Sequence, residues 1–240
     1  MLREPKILIT GANGFIGGAL AAKMIETDLW GQSVFLIRSK TPEEGLVRLA
    51  STLRKHGVST QKLLSLRLEQ IICGDLNVVN SWINDPRLKS VEKVVSSAAV
   101  ASFSNHPSIW STNVDGILNM AHGLCGVAKI KRFIQIGTAM ACGATSPNPV
   151  PEGFDDAKKT IHFLEYTQSK YEAEQRLRLE LPHLPLVVAR PSIVVGHTTL
   201  GCEPSGSIYW VFRMALALKC FPCTLKQKID VIPVDYCADA

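Results

Sequence analysis

Short apolar segments alternate along the chain with longer segments of helical periodicity. The strand-like segments, in order, are KILITG, SVFLIRS, LEQIICGDL, VEKVVSSAAV, KRFIQIGTA and LPLVVARPSIVVG. Apolar residues recur every three or four positions in GGALAAKMIETD, EEGLVRLASTLRKHG and STNVDGILNMAHGLCGV, and again at about 161–180. The alternation of these two periods predicts a chain in which strands and helices follow one another.

Several of the predicted strands are apolar at nearly every position, which is typical of strands whose two faces are both covered. Strands that alternate with helices form parallel sheets joined by right-handed crossovers. The pattern therefore predicts an α/β fold with a doubly wound parallel sheet of the Rossmann type.

A glycine-rich turn, TGANGFIGG, follows the first predicted strand and opens the first predicted helix. Glycines at this position allow a sharp turn, a close approach of the backbone to a pyrophosphate and tight packing of the helix on the strand. Free N–H groups at the helix start attract the anion. We therefore expect a dinucleotide at this turn, bound by Gly11, Asn13, Gly14, Phe15, Ile16 and Gly17.

The end of the second predicted strand indicates which dinucleotide binds. A site that prefers NAD places a carboxylate there for the ribose 2′-hydroxyl. Here the strand ends FLIRSK, with Arg38 and Lys40 and no acidic residue before Glu43. Because a guanidinium matches a phosphate in charge and geometry, the sequence favours NADP(H) over NAD(H).

Candidate catalytic residues lie further along the chain. Tyr166 and Lys170 are four residues apart on a predicted helix, so both project from one face. An ammonium near a phenol is expected to lower the pKa of the phenol, which can then exchange a proton while hydride is transferred. Thr138, at the end of the fifth predicted strand, can hydrogen-bond a substrate carbonyl.

Composition excludes some other classes of protein. The net charge of +5 is mild and its cations are scattered, which does not indicate a nucleic-acid-binding surface. No apolar run reaches the roughly 20 residues of a membrane span, and MLREPK is unlike a signal peptide. The odd number of cysteines, seven, mostly in apolar segments, predicts reduced thiols and a cytoplasmic protein. The pair Cys220 and Cys223 lacks further ligands in the sequence, so no metal site is expected.

Six motifs together resemble the extended short-chain dehydrogenase/reductase superfamily. They are TGANGFIGG, GDL, SSAAV, IGTAMACG, YTQSKYEAE and ARPSIVVG, and they occur in the family's order over essentially the whole chain. The resemblance implies that Thr138, Tyr166 and Lys170 are catalytic and that Lys170 also holds the nicotinamide ribose. It implies further cofactor contacts at Asp75, Leu76, Ala98, Ala99, Asn113, Pro191, Ser192 and Ile193.

Finer features resemble the branch of thioester reductases and fatty acyl-CoA reductases. They are a helical insertion between LIRSK and GDL, the pattern AAVASF followed by NVDGILNMA, and DVIPVDYCADA near the end. Two residues depart from that pattern. Ser97 stands where many relatives have His, and Met140 stands where an aromatic residue is common, so the resemblance does not define the substrate.

The resemblance implies transfer of hydride from NADPH to the carbonyl carbon of an acyl thioester, giving an aldehyde or an alcohol. The thiol carrier is expected to be coenzyme A or a carrier protein. Two alternatives stay open: a nucleotide-sugar epimerase, dehydratase or hydroxysteroid-type dehydrogenase, and a non-catalytic NADP(H)-binding regulator. The sequence does not define the acyl group or the direction of the reaction. It is compatible with a homodimer but does not define the oligomeric state.

Residues 1–195 are expected to form the dinucleotide-binding domain, and 196–240 the start of a smaller substrate-binding lobe. The motif PVDYCADA normally leads into further segments of that lobe, so truncation is expected. The apolar segment GSIYWVFRMALALKCFP is interpreted as a core helix of the lobe, and GATSPNPVPEGF as a surface loop beside the site.

Overall fold

The computed structural model describes residues 4–102, 104–144, 150, 152, 160–201, 208–220 and 228–240. Parts of the expectations above lie outside these residues. They are Phe103 of AAVASF, Cys223 of the cysteine pair, most of the predicted surface loop, and both ends of the apolar segment at 206–222.

The described residues contain eight strands and seven α-helices. The strands are β1 Ile7–Thr10, β2 Ser33–Ile37, β3 Ile71–Cys73, β4 Lys93–Ser96, β5 Arg132–Ile136, β6 Leu186–Ala189, β7 Ile193–Val195 and β8 Val231–Pro233. The α-helices are α1 Phe15–Met24, α2 Pro42–Lys55, α3 Thr60–Leu63, α4 Ile117–Val127, α5 Glu165–Glu180, α6 Ile208–Leu218 and α7 Val234–Asp239. A π-helical segment, Ser111–Gly116, leads directly into α4.

Six strands form one parallel sheet in the order β3-β2-β1-β4-β5-β6. In its centre, Ile9 of β1 lies opposite Phe35 of β2 on one side and Val95 of β4 on the other. The order reverses between β1 and β4, and such a switch point opens a crevice at the carboxyl ends of the strands. The predicted doubly wound sheet is confirmed.

Both faces of the sheet are covered, as the apolar strands predict. Leu8 of β1 belongs to a core that includes α4 and α5, whereas Ile9 faces a second core formed with α1 and α2. In β2 the same alternation sends Leu36 to the first core and Phe35 to the second. Because neighbouring residues of a strand point to opposite faces, continuous apolar strands are required here.

The segment LPLVVARPSIVVG was predicted as one strand, and this prediction was wrong. Strand β6 ends at Ala189, and β7, which starts at Ile193, leaves the main sheet to pair with β8. Pro191 lies in the break, where its missing N–H and fixed φ interrupt a strand ladder. The break carries the chain from the sheet across the carboxyl ends of its strands.

The C-terminal residues contact the main sheet domain. Helix α7 packs against α1, and Asp239 forms an ion pair with Lys23. Helix α6, by contrast, has no buried residue. The division at residue 195 stays a prediction. Among the helices of the described residues, none combines the length and the apolar character needed to span a membrane.

Candidate active site

A cleft of about 1180 Å³ opens at the carboxyl ends of β1 and β4, at the switch point of the sheet. Most residues that the sequence singled out line its wall. They are Gly11, Asn13, Gly14, Phe15, Ile16, Arg38, Asp75, Leu76, Ala98, Ala99, Thr138, Tyr166, Lys170, Pro191, Ser192 and Ile193. The fold thus brings together residues as distant in the sequence as Gly11 and Ile193.

The glycine turn is shaped by backbone contacts that leave no room for side chains. Gly11 has a φ of 72°, and a Cβ atom there would lie 2.5 Å from the backbone nitrogen of Ala98. A Cβ on Gly17 would lie 2.3 Å from the carbonyl oxygen of Gly11. Gly17 does not line the cleft. It allows α1 to pack closely on the turn, as the sequence predicted, and its expected contact with the dinucleotide stays a prediction.

The start of α1 provides donors for an anion. The helix begins after Gly14, has no side-chain N-cap and carries no acidic residue in its first turn. The first N–H groups of a helix have no partner within the helix, and the helix dipole is positive there. Phe15 and Ile16 are both at the cleft. This donor set fits the pyrophosphate of a dinucleotide, and no carboxylate of the helix competes for it.

Two arginines meet at the end of β2. Arg38 is exposed, with 75% of its side chain accessible, and its Nη1 lies 3.8 Å from Oδ2 of Asp75. Arg48 of α2 donates a hydrogen bond to the backbone carbonyl of Arg38. Sequence reasoning missed Arg48, although its place on the helix after the second strand could have indicated it. Lys40, in contrast, is exposed and lies off the cleft wall, with its backbone N–H bound to Glu44.

Helix α5 carries Tyr166 and Lys170 on the face that borders the cleft. Lys170 is 4% exposed, and its Nζ donates a 2.9 Å hydrogen bond to the backbone carbonyl of Ile136. Burial lowers the pKa of Lys170 to about 8. Because that carbonyl ends β5, the lysine links the active-site helix to the strand that leads to Thr138.

The expectation that Lys170 lowers the pKa of the Tyr166 phenol was wrong for this structure. Burial raises the pKa of Tyr166, because the phenolate would lose its hydration in the wall of the cleft. Burial is the cause of this rise, and the Lys170 ammonium is bound to the Ile136 carbonyl. The phenol is therefore held in its protonated form, which is the form that can give a proton away.

Thr138 lies at the turn after β5, where its Oγ1 accepts a 3.3 Å hydrogen bond from the backbone N–H of Met140. The residue is buried but lines the cleft, and its hydroxyl hydrogen can be directed to a carbonyl oxygen. Met140 is exposed at the same wall. An apolar, flexible side chain thus borders the place where a substrate carbonyl would be held.

Asn113 lies behind the cleft wall rather than in it. Its Oδ1 accepts from the N–H of Val100 at 2.7 Å, and its Nδ2 donates to the Val100 carbonyl and to Ser169 Oγ. Fully buried, it joins the segment after β4 to α5 between Tyr166 and Lys170. A direct contact of Asn113 with the cofactor stays a prediction. Its contacts support a role in shaping the site, from within a π-helical segment of the kind often found at functional sites.

A polar segment at the cleft was not anticipated from the sequence. It contributes Ser102, Ser104, His106 and Ser108, next to Thr112 of the π-helical segment. The segment SFSNHPS follows the apolar pattern AAVA directly, and its high content of polar residues is the signal that could have been used.

Comparisons with known proteins agree with this geometry. The model of the family described as Male sterility protein, an NAD-binding family, matches residues 9–240. The terminal R domain of the myxalamid PKS-NRPS biosynthetic pathway is similar in structure, with a TM-score of 0.79 and 23% identity. That similarity covers 98% of this chain and 60% of the R domain, and it shows the fold.

Two curated proteins are similar in sequence. The non-canonical nonribosomal peptide synthetase hkm10 of Aspergillus hancockii is 25% identical over 97% of this chain. The probable fatty acyl-CoA reductase 5 of Arabidopsis thaliana is 22% identical over 100% of this chain. The chain spans 24% of the length of the first protein and 62% of the second.

Proposed function

Because the chain belongs to the Male sterility protein family of NAD-binding proteins, within the extended short-chain dehydrogenases/reductases, we propose that it is an NADPH-dependent reductase of acyl thioesters. The product is an aldehyde or, after a second reduction, an alcohol. The observation that carries the proposal is the meeting of Thr138, Tyr166 and Lys170 with the glycine turn in one cleft. A protein that only bound the dinucleotide would not need Thr138 and Tyr166 there.

The chain's own residues supply the proton chemistry. When bound, the reduced nicotinamide supplies a hydride for the carbonyl carbon of the substrate. Thr138 donates a hydrogen bond to the carbonyl oxygen and so orients it, and Tyr166 gives that oxygen its proton. Cleavage of the carbon–sulfur bond in the resulting hemithioacetal releases a thiol and an aldehyde. Burial raises the pKa of Tyr166, so the phenol carries the proton that this step requires.

Cofactor preference follows from charge at the end of β2. Arg38 is exposed there, with Arg48 against its carbonyl, and a 2′-phosphate is the group that two guanidinium ions would bind best. Each guanidinium also has a carboxylate nearby: Asp75 lies 3.8 Å from Arg38, and Glu44 lies 3.9 Å from Arg48. Asp75 caps the 3₁₀-helix that follows it through the N–H of Asn77 at 2.9 Å, and Glu44 accepts from the N–H of Lys40. These contacts support NADPH rather than NADH.

The substrate is proposed to be an acyl group on a pantetheine-type thiol, carried by coenzyme A or a carrier protein. The name of the Arabidopsis relative, a probable fatty acyl-CoA reductase, supports the acyl thioester. Met140 supplies an apolar side chain to the cleft wall, and Ser102, Ser104 and Ser108 supply hydroxyl groups, which is consistent with a ligand that has both apolar and polar parts. We propose a cytoplasmic location, in line with the cysteine content.

The test is NADPH oxidation with a panel of acyl-CoA thioesters, aldehydes, secondary alcohols and nucleotide sugars. Tyr166→Phe is the matched variant, because it removes one hydroxyl and keeps the ring. We expect turnover with thioesters, and a loss of about 10²–10⁴-fold in kcat for Tyr166→Phe with cofactor binding retained. Turnover only with nucleotide sugars or secondary alcohols would contradict the proposal, as would tight NADPH binding with no turnover on any substrate.

A further inference from the structure

A buried ion pair lies next to the site but outside the cleft. Glu174 of α5 is 1% exposed, and its Oε2 accepts a 3.0 Å hydrogen bond from Nε of Arg190. A second bond joins Nη2 of Arg190 to Oε1 of the same carboxylate, so the contact is bidentate. Arg178 adds a weaker contact of 3.3 Å from the solvent side. Bidentate pairs of this kind fix orientation as well as distance.

Each partner is directly connected to the active site. Glu174 continues the four-residue spacing of Tyr166 and Lys170, and therefore lies on the same side of α5. Arg190 directly precedes Pro191, Ser192 and Ile193, which line the cleft. The ion pair thus joins the helix that carries the proton donor to the segment expected to lie beside the nicotinamide.

The same segment also holds the end of β5. The N–H of Gly137 donates to the Ala189 carbonyl, and the N–H of Ala139 donates to the Pro191 carbonyl, each at 2.8 Å. These two amides flank Thr138. A continuous chain of contacts therefore connects Tyr166 with Thr138. It follows α5 from Tyr166 to Glu174, crosses the ion pair to Arg190 and Pro191, and reaches Thr138 through the hydrogen bond of Ala139.

We propose that Glu174 and Arg190 are positioning residues, whose ion pair sets the placement of Thr138 relative to Tyr166. The inference rests on the proposed function of those two groups. Neither charged residue lines the cleft. Misplacement of reacting groups by about 1 Å can cost on the order of 10²-fold in rate, so a pair outside the cleft can control turnover.

The test compares Glu174→Gln and Arg190→Lys with Glu180→Gln as the matched control. Glu180 lies on the same helix and is also ion-paired, to Arg176 at 2.6 Å and to His122 at 3.2 Å. Among the described residues, neither of these two partners lines the cleft. The first readout is amide hydrogen exchange at Gly137 and Ala139 in cofactor-free protein. The second is kcat and KM for an acyl-CoA thioester, per folded molecule.

In Glu174→Gln and Arg190→Lys we expect exchange at these two amides to accelerate at least about fivefold more than at the β1 amides. We also expect kcat to fall about tenfold or more with little change in KM, and the double variant to be no worse than the poorer single variant. Glu180→Gln should match the wild type in both readouts.

Acceleration that is equal at all amides, or a kcat that is unchanged per folded molecule, would overturn the positioning role and leave only a contribution to stability. A wild-type protein that reduces no acyl thioester would instead contradict the proposed function alone. The two failures are distinguishable, because the exchange measurement needs neither cofactor nor substrate.

Discussion

Helices α1 and α6 have similar lengths and each carries a single charged residue, yet they differ in how much of their surface is buried. Of the ten residues of α1, five are buried: Gly17, Gly18, Ala19, Ala21 and Met24. None of the eleven residues of α6 is buried against the described part of the chain. The small residues of α1 let its backbone approach the glycine turn and the sheet, whereas α6 carries Trp210, Phe212 and Leu216 on an open surface.

The difference shows that apolar content does not by itself determine burial. Helix α1 has partners in the sheet, in α2 and in α7, and its Gly17 meets the carbonyl of Gly11. Within the described residues α6 keeps much of its apolar surface exposed, including 55% of Trp210 and 82% of Leu216. The cofactor region should therefore respond strongly to substitution, and α6 weakly.

The largest expected effect compares two leucines. Leu53 of α2 is 0% exposed in the core behind α1, whereas Leu216 of α6 is 82% exposed. Leu53→Ala should lower the free energy of unfolding by about 2–5 kcal/mol, because it removes buried methyl groups and leaves a cavity. Leu216→Ala should change it by no more than about 0.5 kcal/mol.

Denaturant unfolding of both variants gives the two values. If Leu216→Ala cost as much as Leu53→Ala, the leucine would have to be buried in solution, and the contrast between the two regions would fail.

A second prediction concerns the buried charge of Lys170. Burial lowers its pKa from 10.5 to about 8, so the charged form is disfavoured in the folded chain. Below pH 8 both folded and unfolded chains carry the proton, and folding bears a penalty of about 3 kcal/mol. As the pH rises from about 8 towards 10.5, the unfolded chain binds more protons than the folded one. The free energy of unfolding therefore rises over this window.

Lys170→Met removes that titration, and Lys228→Met, at an exposed position near β8, serves as the control. Relative to the wild type without cofactor, Lys170→Met should be more stable at pH 7, and its advantage should shrink towards pH 10. Lys228→Met should show no such trend. A constant difference between Lys170→Met and wild type across the pH range would contradict the buried charge.

The smallest of the three effects concerns cofactor choice. Arg38→Ala should weaken NADPH binding about 10–100-fold, the value of one charge-assisted contact, and leave NADH binding nearly unchanged. Arg213→Ala on α6, where the guanidinium lies 5.9 Å from the Trp210 ring, removes the same charge at a residue that does not line the cleft. Titration of both nucleotides by fluorescence provides the check. Equal losses for NADPH and NADH in Arg38→Ala would refute a 2′-phosphate contact.

The periodicity of the sequence was sufficient to predict the sheet. Alternate residues of β1 and β2 face two different cores, and the sequence has apolar residues at both sets of alternate positions. The glycine turn was equally readable, because its backbone geometry accepts only glycine at Gly11. The break at Arg190–Ser192 was not recognised. The apolar residues on both sides of the break form the pattern of one long strand. Pro191, which cannot donate a ladder hydrogen bond, is the residue that indicates two strands instead.

The side-chain chemistry was less predictable than the placement. Spacing put Tyr166 and Lys170 on one helix face, but their pKa values depend on burial and on the Ile136 carbonyl, a contact between residues 34 positions apart. Glu174 continues the same spacing in the sequence, so it could have been noticed. Its pairing with Arg190 depends on how β6 ends, and that was the element predicted wrongly.

The most direct test of the proposed function follows the hydride itself. The wild type is incubated with NADPH carrying deuterium at both C4 positions and with an acyl-CoA thioester, and the products are analysed by mass spectrometry. We predict an aldehyde or alcohol that carries deuterium at the former carbonyl carbon and one free thiol per acyl group reduced. With Tyr166→Phe both products should form about 10²–10⁴-fold more slowly. Thiol release without deuterium transfer, or no thioester-dependent oxidation of NADPH at all, would contradict the assignment of this cleft as a thioester reductase site.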